Sequence, residues 1–381
     1  VPGPQRSGGR TQVPDGMNPD VILHQRGRAE LEFLAAARAA LAPLRARVRA
    51  RIEASDRCAG WGADEAAGGH TDIVRLRADV ADALAGTVEQ NVVGAALRWN
   101  RRMLTPRAED AFAARRDALE PLASAPDPQA ITDRIAERDG GGQGNAAVPR
   151  YWTYEFHGTR GGWDGHEHMG FVHHELVYRY LLVPAYGDIF AQRAKVADAA
   201  PGDRYAAICD LGCGTGQYTL KLAERYPGAR ITGVDLSAAS LRYAQRRAAD
   251  RGLRWDLLRA PAEDTALPAG SQDLVTSFIL LHEMPPHAVE KVFAEAFRLL
   301  RPGGDLVFSD VAPYRERGAH QAWLDDWDAE HGHEPWWRTT AELDLAAVAE
   351  AAGFTGVRQE ALGPAAYPWV TIARRPEEGG S

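Results

Sequence analysis

A chain of 381 residues and 41.4 kDa is long enough for two domains, or for one domain with a large extension. Its 45% hydrophobic and 25% charged residues are ordinary for a globular protein and exclude a disordered, collagen-like or disulfide-scaffold chain. The net charge of −8 divides unevenly, 21 Lys+Arg against 20 Asp+Glu over residues 1–150 and 23 against 32 over residues 151–381, so neither part has the positive field that nucleic-acid binding needs.

Residues 1–19 hold Pro-flanked turns, no periodicity and no signal-peptide core, and read as a disordered lead. No apolar run approaches the roughly 20 residues that span a bilayer. A cytoplasmic protein without a membrane partner is expected. Residues 20–138 read as a helical domain. Between Val21 and Ala54, Leu31, Leu34, Ala35, Leu41 and Leu44 recur near helical spacing, and Pro43 should kink or split the segment. A Gly-rich break at Ala59–Gly69 precedes helix-like stretches at Thr71–Leu84, Thr87–Met103, Arg107–Ala123 and Pro128–Arg138. These helices carry no chemical motif; a homodimer interface is one expectation for them. The arginine-rich run Arg38–Arg51 reads as a solvated face. Residues 139–150, opening with DGGGQGNAA, read as a linker.

Residues 151–200 lead into a segment of different texture. From residue 201 to 376, strands are predicted at Tyr205–Leu211, Ala229–Val234, Trp255–Arg259, Leu274–Phe278, Asp305–Ser309, Val357–Ala361 and Trp369–Ala373. Helices fall between them at Tyr218–Tyr226, Ala238–Arg251, Pro286–Leu300 and Leu343–Ala352. Such alternation gives a mostly parallel sheet covered on both faces. The fold class is α/β with an N-terminal all-α extension. Cys58, Cys209 and Cys213 make an odd count, as where thiols stay reduced.

The glycine loop is the strongest signal. Gly212, Gly214 and Gly216 follow a strand and open a helix in DLGCGTG, residues 210–216, where glycine lets the backbone turn sharply and approach a ligand. A G-x-G pattern alone would also suit a dinucleotide-binding fold. Three features separate the two. Gln217 stands where a phosphate cradle has its third glycine. Asp210 precedes the loop, where its carboxylate can meet an ammonium group, and Asp235 ends the second strand, placed to accept from ribose hydroxyls.

With TGVDLS (232–237), PAEDTALPAGSQDLV (261–275) and LLRPGGDLVFSD (299–310), residues 201–376 resemble a class I S-adenosylmethionine (SAM) methyltransferase. The resemblance implies a Rossmann-like sheet of seven strands, the last antiparallel, with SAM at the carboxyl ends of the strands. Asp210 and Gly212 would contact its methionine end, within the loop that Gly214 and Gly216 complete, and Asp235 the ribose. Leu236 would pack on the adenine, and the backbone around Ala262 and Glu263 would meet its edge. Pro261 stands where many relatives carry an acid, which leaves the adenine amine to Glu263 or Asp264, or makes adenine recognition looser.

A neutral hydroxyl acceptor needs a base near the transfer point. His282, with Glu283 beside it in FILLHEMP (278–285), resembles the histidine-plus-acid element of small-molecule O-methyltransferases; the other reading is a cap before the Pro286 helix. Five of the 12 histidines lie between His157 and Glu175. No defined metal spacing is present, and no metal is assigned. His174 is expected in the acceptor site, as part of a segment that lies over the cofactor. Between Pro313 and Thr340, Trp323, Trp336 and Trp337 either wall the acceptor pocket or pack against the N-terminal helices. The expected function is methyl transfer from SAM to a small molecule, at a hydroxyl. Transfer to carbon of a quinone- or polyketide-like acceptor, and a SAM-binding cyclase that transfers no methyl, are the alternatives.

Overall fold

The computed structural model describes residues 16–56, 58, 72–135, 148–160 and 164–377. The predicted Gly-rich break, residues 1–15 of the lead and most of the linker lie outside them.

Seven strands form the sheet's body: β4 (Ala207–Leu211), β5 (Arg230–Asp235), β6 (Asp256–Arg259), β7 (Gln272–Phe278), β8 (Leu300–Asp310), β9 (Thr355–Ala361) and β10 (Trp369–Arg374). Upstream are the two-residue β1 (Thr132–Asp133) and a small hairpin of β2 (Glu155–Phe156) and β3 (Thr159–Arg160). The order is β1-β6-β5-β4-β7-β8-β10-β9. Only β10 runs against its neighbours, as the resemblance implied. The sheet has eight strands, not seven. β1 comes from the stretch predicted as helix Pro128–Arg138, where Pro126 and Pro128 open a segment that lies extended along the free edge of β6. Arg134 N–H donates to the Arg259 carbonyl at 2.9 Å and Arg259 Nη1 to Asp133 at 3.0 Å, so edge pairing outweighs local helix propensity.

The central strands are largely apolar, as strands buried on both faces tend to be, with buried polar residues such as Asp210, Thr276 and Ser309 among them. Cys209, Leu211, Leu306 and Phe308 meet Val289, Val292, Phe293 and Ala296 of the helix Pro286–Leu299 on one face. Ile208 and Val307 point the other way, into a core with Leu220, Leu222, Leu241 and Ala244 from the helices Gln217–Arg225 and Ala238–Ala249.

The N-terminal helices are Gln25–Ala39, Ala42–Glu53, Ile73–Ala83, Val88–Ala113 and Arg116–Ala123. The first two divide at Ala40–Leu41, which puts Pro43 in an opening turn where a missing N–H costs nothing. Val88–Ala113 runs unbroken through Pro106, where two helices were expected. Its buried Val93, Leu104, Ala108 and Phe112 hold it to neighbours on both sides of the proline. Residues 16–19 are not a loose lead. Met17 is buried among Tyr178, Ile189 and Phe190, and Asn18 N–H donates to the Glu175 carboxylate at 3.0 Å. Among the described residues no helix is long and apolar enough to cross a membrane.

Candidate active site

The carboxyl ends of β4, β5, β7 and β8 open into a cavity of about 860 Å³. At one end is the glycine loop. Gly212 and Cys213 N–H donate to the Val234 carbonyl at 2.8 and 3.0 Å, tying the loop to β5. Gly214 has φ +53° with nothing within 4 Å of where a Cβ would stand, so its backbone faces open space. Gly216, with φ +72°, is a packing glycine instead: a Cβ there would meet the Trp255 ring at 2.5 Å.

Asp210 is buried. Thr219 Oγ1 donates to its Oδ2 at 2.6 Å, while no donor among the described residues reaches its Oδ1. Burial, with Asp235 nearby, pushes its carboxyl up to about 7. Asp235 accepts from Gly214 N–H and Ser237 N–H, both at 2.8 Å, and burial lifts it to about 6. Arg193 is buried in the same wall, its guanidinium 4.4 Å from the Phe278 ring centre. Leu236, Ala262 and Glu263 are not part of this wall. Leu236 and Ala262 are buried, and Tyr151 OH donates to the Glu263 carboxylate at 2.8 Å.

At the other end, Ile279 leaves β7 with φ +53°, a conformation a β-branched residue adopts only under constraint. The turn Leu281–Glu283 that follows sets His282 over the end of β8. His282 Nδ1 lies 2.7 Å from Asp310 Oδ1, and Asp310 also accepts from Leu281 N–H and Val311 N–H. The Trp337 ring centre is 5.5 Å from that of His282. Burial pulls the His282 imidazole down, but Asp310, by charge and hydrogen bond, and then Glu283 and Glu334 raise it to about 10. His282 Nε2 is 3.5 Å from Glu283 Oε1.

The remaining predicted residues divide. Trp337 lines the cavity, but Trp323 and Trp336 do not. Trp323 stacks on Trp327 at 5.9 Å, buried with Val48, Ile52, Leu76 and Val80 of the N-terminal helices. Trp336 packs on the sheet core and, edge-on, against Tyr154. His174 is fully enclosed. Gln217 Nε2 donates to its Nδ1 at 3.0 Å and its Nε2 lies 3.1 Å from the Gly16 carbonyl, so it braces the glycine loop from behind and does not reach the cavity. Its neighbour His173 does line it. Both lie on Val172–Leu182, a π-helix, where neighbouring residues present different faces.

Sequence reasoning missed Asp310, Arg193, Arg101 and Glu334, and placed His157 only within the histidine-rich segment, with no role of its own. DVAP after a strand (310–313) and the buried arginine gave no motif to notice. His157 sits at the two-residue turn between β2 and β3, with φ +49°, followed by Gly158 at +74°. That is the left-handed pair that tight hairpins require.

Residues 208–304 match the family profile described as a methyltransferase domain. The match lies within the α/β part of this chain, whose strand order and glycine loop agree with such a domain. The chain is 34% identical over 142 residues to a demethylmenaquinone methyltransferase of Thermus thermophilus, covering 36% of this chain and 64% of that protein. It is 39% identical over 116 residues to a trans-aconitate 2-methyltransferase of an Azoarcus species, covering 30% and 43%. A malonyl-[acyl-carrier protein] O-methyltransferase of Hahella chejuensis is 35% identical over 154 residues, covering 40% and 51%. The chain thus spans about half the length of these relatives.

Proposed function

We propose that the protein transfers a methyl group from SAM to a hydroxyl of a small molecule, with His282 taking the hydroxyl proton. The observation that carries this reading is one cavity with an Asp210 oxygen that has no partner among the described residues at one end and the His282–Asp310 pair at the other. Relatives are named for several acceptors, so the hydroxyl rests on that pair and not on them.

The residues fit SAM. Asp210 Oδ1 awaits a donor such as an ammonium group, because a buried acceptor left unpaired costs about 1–3 kcal/mol. Arg193 offers the opposite charge for a carboxylate, Gly214 leaves the backbone uncovered, and Asp235 suits a pair of hydroxyls. Bound SAM supplies an electrophilic methyl, whose C–S bond breaks with its electron pair left on sulfur as the new bond forms to the acceptor oxygen.

The chain's residues do the rest. Asp310 accepts from Nδ1–H, which fixes the tautomer and leaves Nε2 to receive the acceptor's proton. It then stabilises the imidazolium. Trp152, Trp337, Phe278 and Tyr367 give the cavity broad apolar faces that suit an aromatic acceptor and exclude water. Orientation contributes on the order of 7–11 kcal/mol at best, and a placed base a further factor of about 10²–10⁴.

The test is methyl-labelled SAM with a panel of phenols, quinols and hydroxy acids, and with cell extract. The reading expects label in an organic-soluble ether. His282→Ala should lower turnover by about 10²–10⁴ with SAM affinity unchanged. Turnover unaffected by that substitution, or label only in protein or RNA, refutes it.

A further inference from the structure

Four segments distant in sequence meet beside His282, and the mechanism above uses none of their contacts. Arg101 comes from the helix Val88–Ala113, His157 from the β2–β3 turn, Glu334 from the connection after β8, and Glu283 from the turn after β7. His157 Nε2 lies 2.7 Å from Glu283 Oε1, and its Nδ1 lies 2.7 Å from Glu334 Oε1. Arg101 donates to Glu334 at 2.8 Å and to the Gly332 carbonyl at 3.0 Å, and its guanidinium also lies against His157 Nδ1. His157 N–H donates to the His333 carbonyl at 3.0 Å, which fixes the turn.

The decisive contact is the one Glu283 does not make. Its Oε1 is 2.7 Å from His157 but 3.5 Å from Nε2 of His282, which is outside good hydrogen-bond range. Nε2 is the nitrogen that must face an acceptor, because Nδ1 is taken by Asp310. Moved under an ångström closer, the Glu283 carboxylate would close that nitrogen with an ion pair.

We propose that His157 is a positioning residue that holds Glu283 off His282 Nε2, keeping that nitrogen open to the acceptor. This rests on the reading of His282 as the base. His157 does so as an imidazolium. Burial and Arg101 oppose its charge, but Glu334 and Glu283 hold it up at about 9. The groups facing it are Glu283, Glu334, Arg101 and His173; those facing His282 are Asp310, Glu283 and Glu334. With Arg101 and His157 positive against Glu283 and Glu334, the cluster is balanced before His282 and Asp310 are counted.

His157→Gly tests this directly, because glycine accepts the turn's positive φ and leaves a space that imidazole can enter. His157→Asn serves as a second uncharged variant that tolerates the left-handed backbone. The readout is the His282 titration by NMR of histidine-labelled protein, assigned with His282→Gln. Freed Glu283 should move onto Nε2 and raise the His282 midpoint by about 1 pH unit or more. Added imidazole should reverse the rise in His157→Gly, with SAM affinity kept throughout. At neutral pH, label transfer should fall about tenfold, in step with the midpoint. A His282 midpoint unmoved in both variants that still bind SAM overturns the proposal. Failure of the underlying reading shows elsewhere, as wild-type transfer by His282→Gln.

Discussion

Asp310→Asn should move the pH dependence of methyl transfer downward by several units. Asp310 is buried, accepts the His282 Nδ1 proton at 2.7 Å, and is the largest influence raising that imidazole to about 10. A base of that strength works only when neutral. Three pH units below its midpoint, roughly one molecule in a thousand has the neutral ring. The free protein's kcat/KM should therefore rise about tenfold per pH unit from neutrality and level off near pH 10. In Asp310→Asn, burial would act against only Glu283 and Glu334. The limb should then fall toward the ordinary histidine value of about 6.5 or below, and the plateau should be lower because the imidazolium loses its partner. The assay is S-adenosylhomocysteine release between pH 6 and 10.5, checked against protein stability at each pH. That check matters. A histidine whose folded value is raised stabilises the fold fully below about 6.5, and the contribution is lost as pH rises through about 10. A wild-type profile flat from pH 6 to 10, or a variant with an unmoved limb, would refute the assignment.

Three further outcomes follow from the same geometry. Asp210→Asn should weaken SAM binding about 10- to 100-fold by calorimetry, the loss of a charged hydrogen bond; wild-type affinity should decline as pH falls below about 7, where the Asp210 carboxyl takes a proton, and the variant should lose that dependence. Gly216→Ala should cost at least about 2 kcal/mol in urea unfolding, from its positive φ and the Trp255 ring, whereas Gly214→Ala should cost about 1 kcal/mol and act mainly on SAM affinity. Trp323→Ala should cost about 3–5 kcal/mol of stability, while Trp337→Ala should raise KM for the acceptor with a smaller effect on unfolding.

The legible part of this molecule was its consecutive part. The strands, the DLGCGTG turn and Asp235 are each set by neighbours within a few residues, so pattern and turn chemistry suffice to place them. The eighth strand was illegible because Thr132–Asp133 is extended only by virtue of the β6 edge it lies on, a tertiary effect that local propensity does not carry. His174 and His173 were interchanged for a related reason. Neighbouring residues of a helix face different ways, and which histidine meets the cavity is set by how the π-helix Val172–Leu182 packs, a tertiary matter. The tryptophans illustrate the same limit at the level of packing. Trp323 and Trp337 lie in one connection, but Ala319–His331 docks against the N-terminal helices and Trp337–Glu342 against the His282 turn. His282 itself was recognisable from its resemblance to an O-methyltransferase histidine and its place after a strand, yet the carboxylate that raises its imidazole is Asp310, 28 positions on and one strand over. The parts of the site that carry its chemistry are thus paired across the sheet. Parallel β7 and β8 bring Phe278 opposite Ser309, and that register delivers the residues just beyond them, His282 and Asp310, to one another.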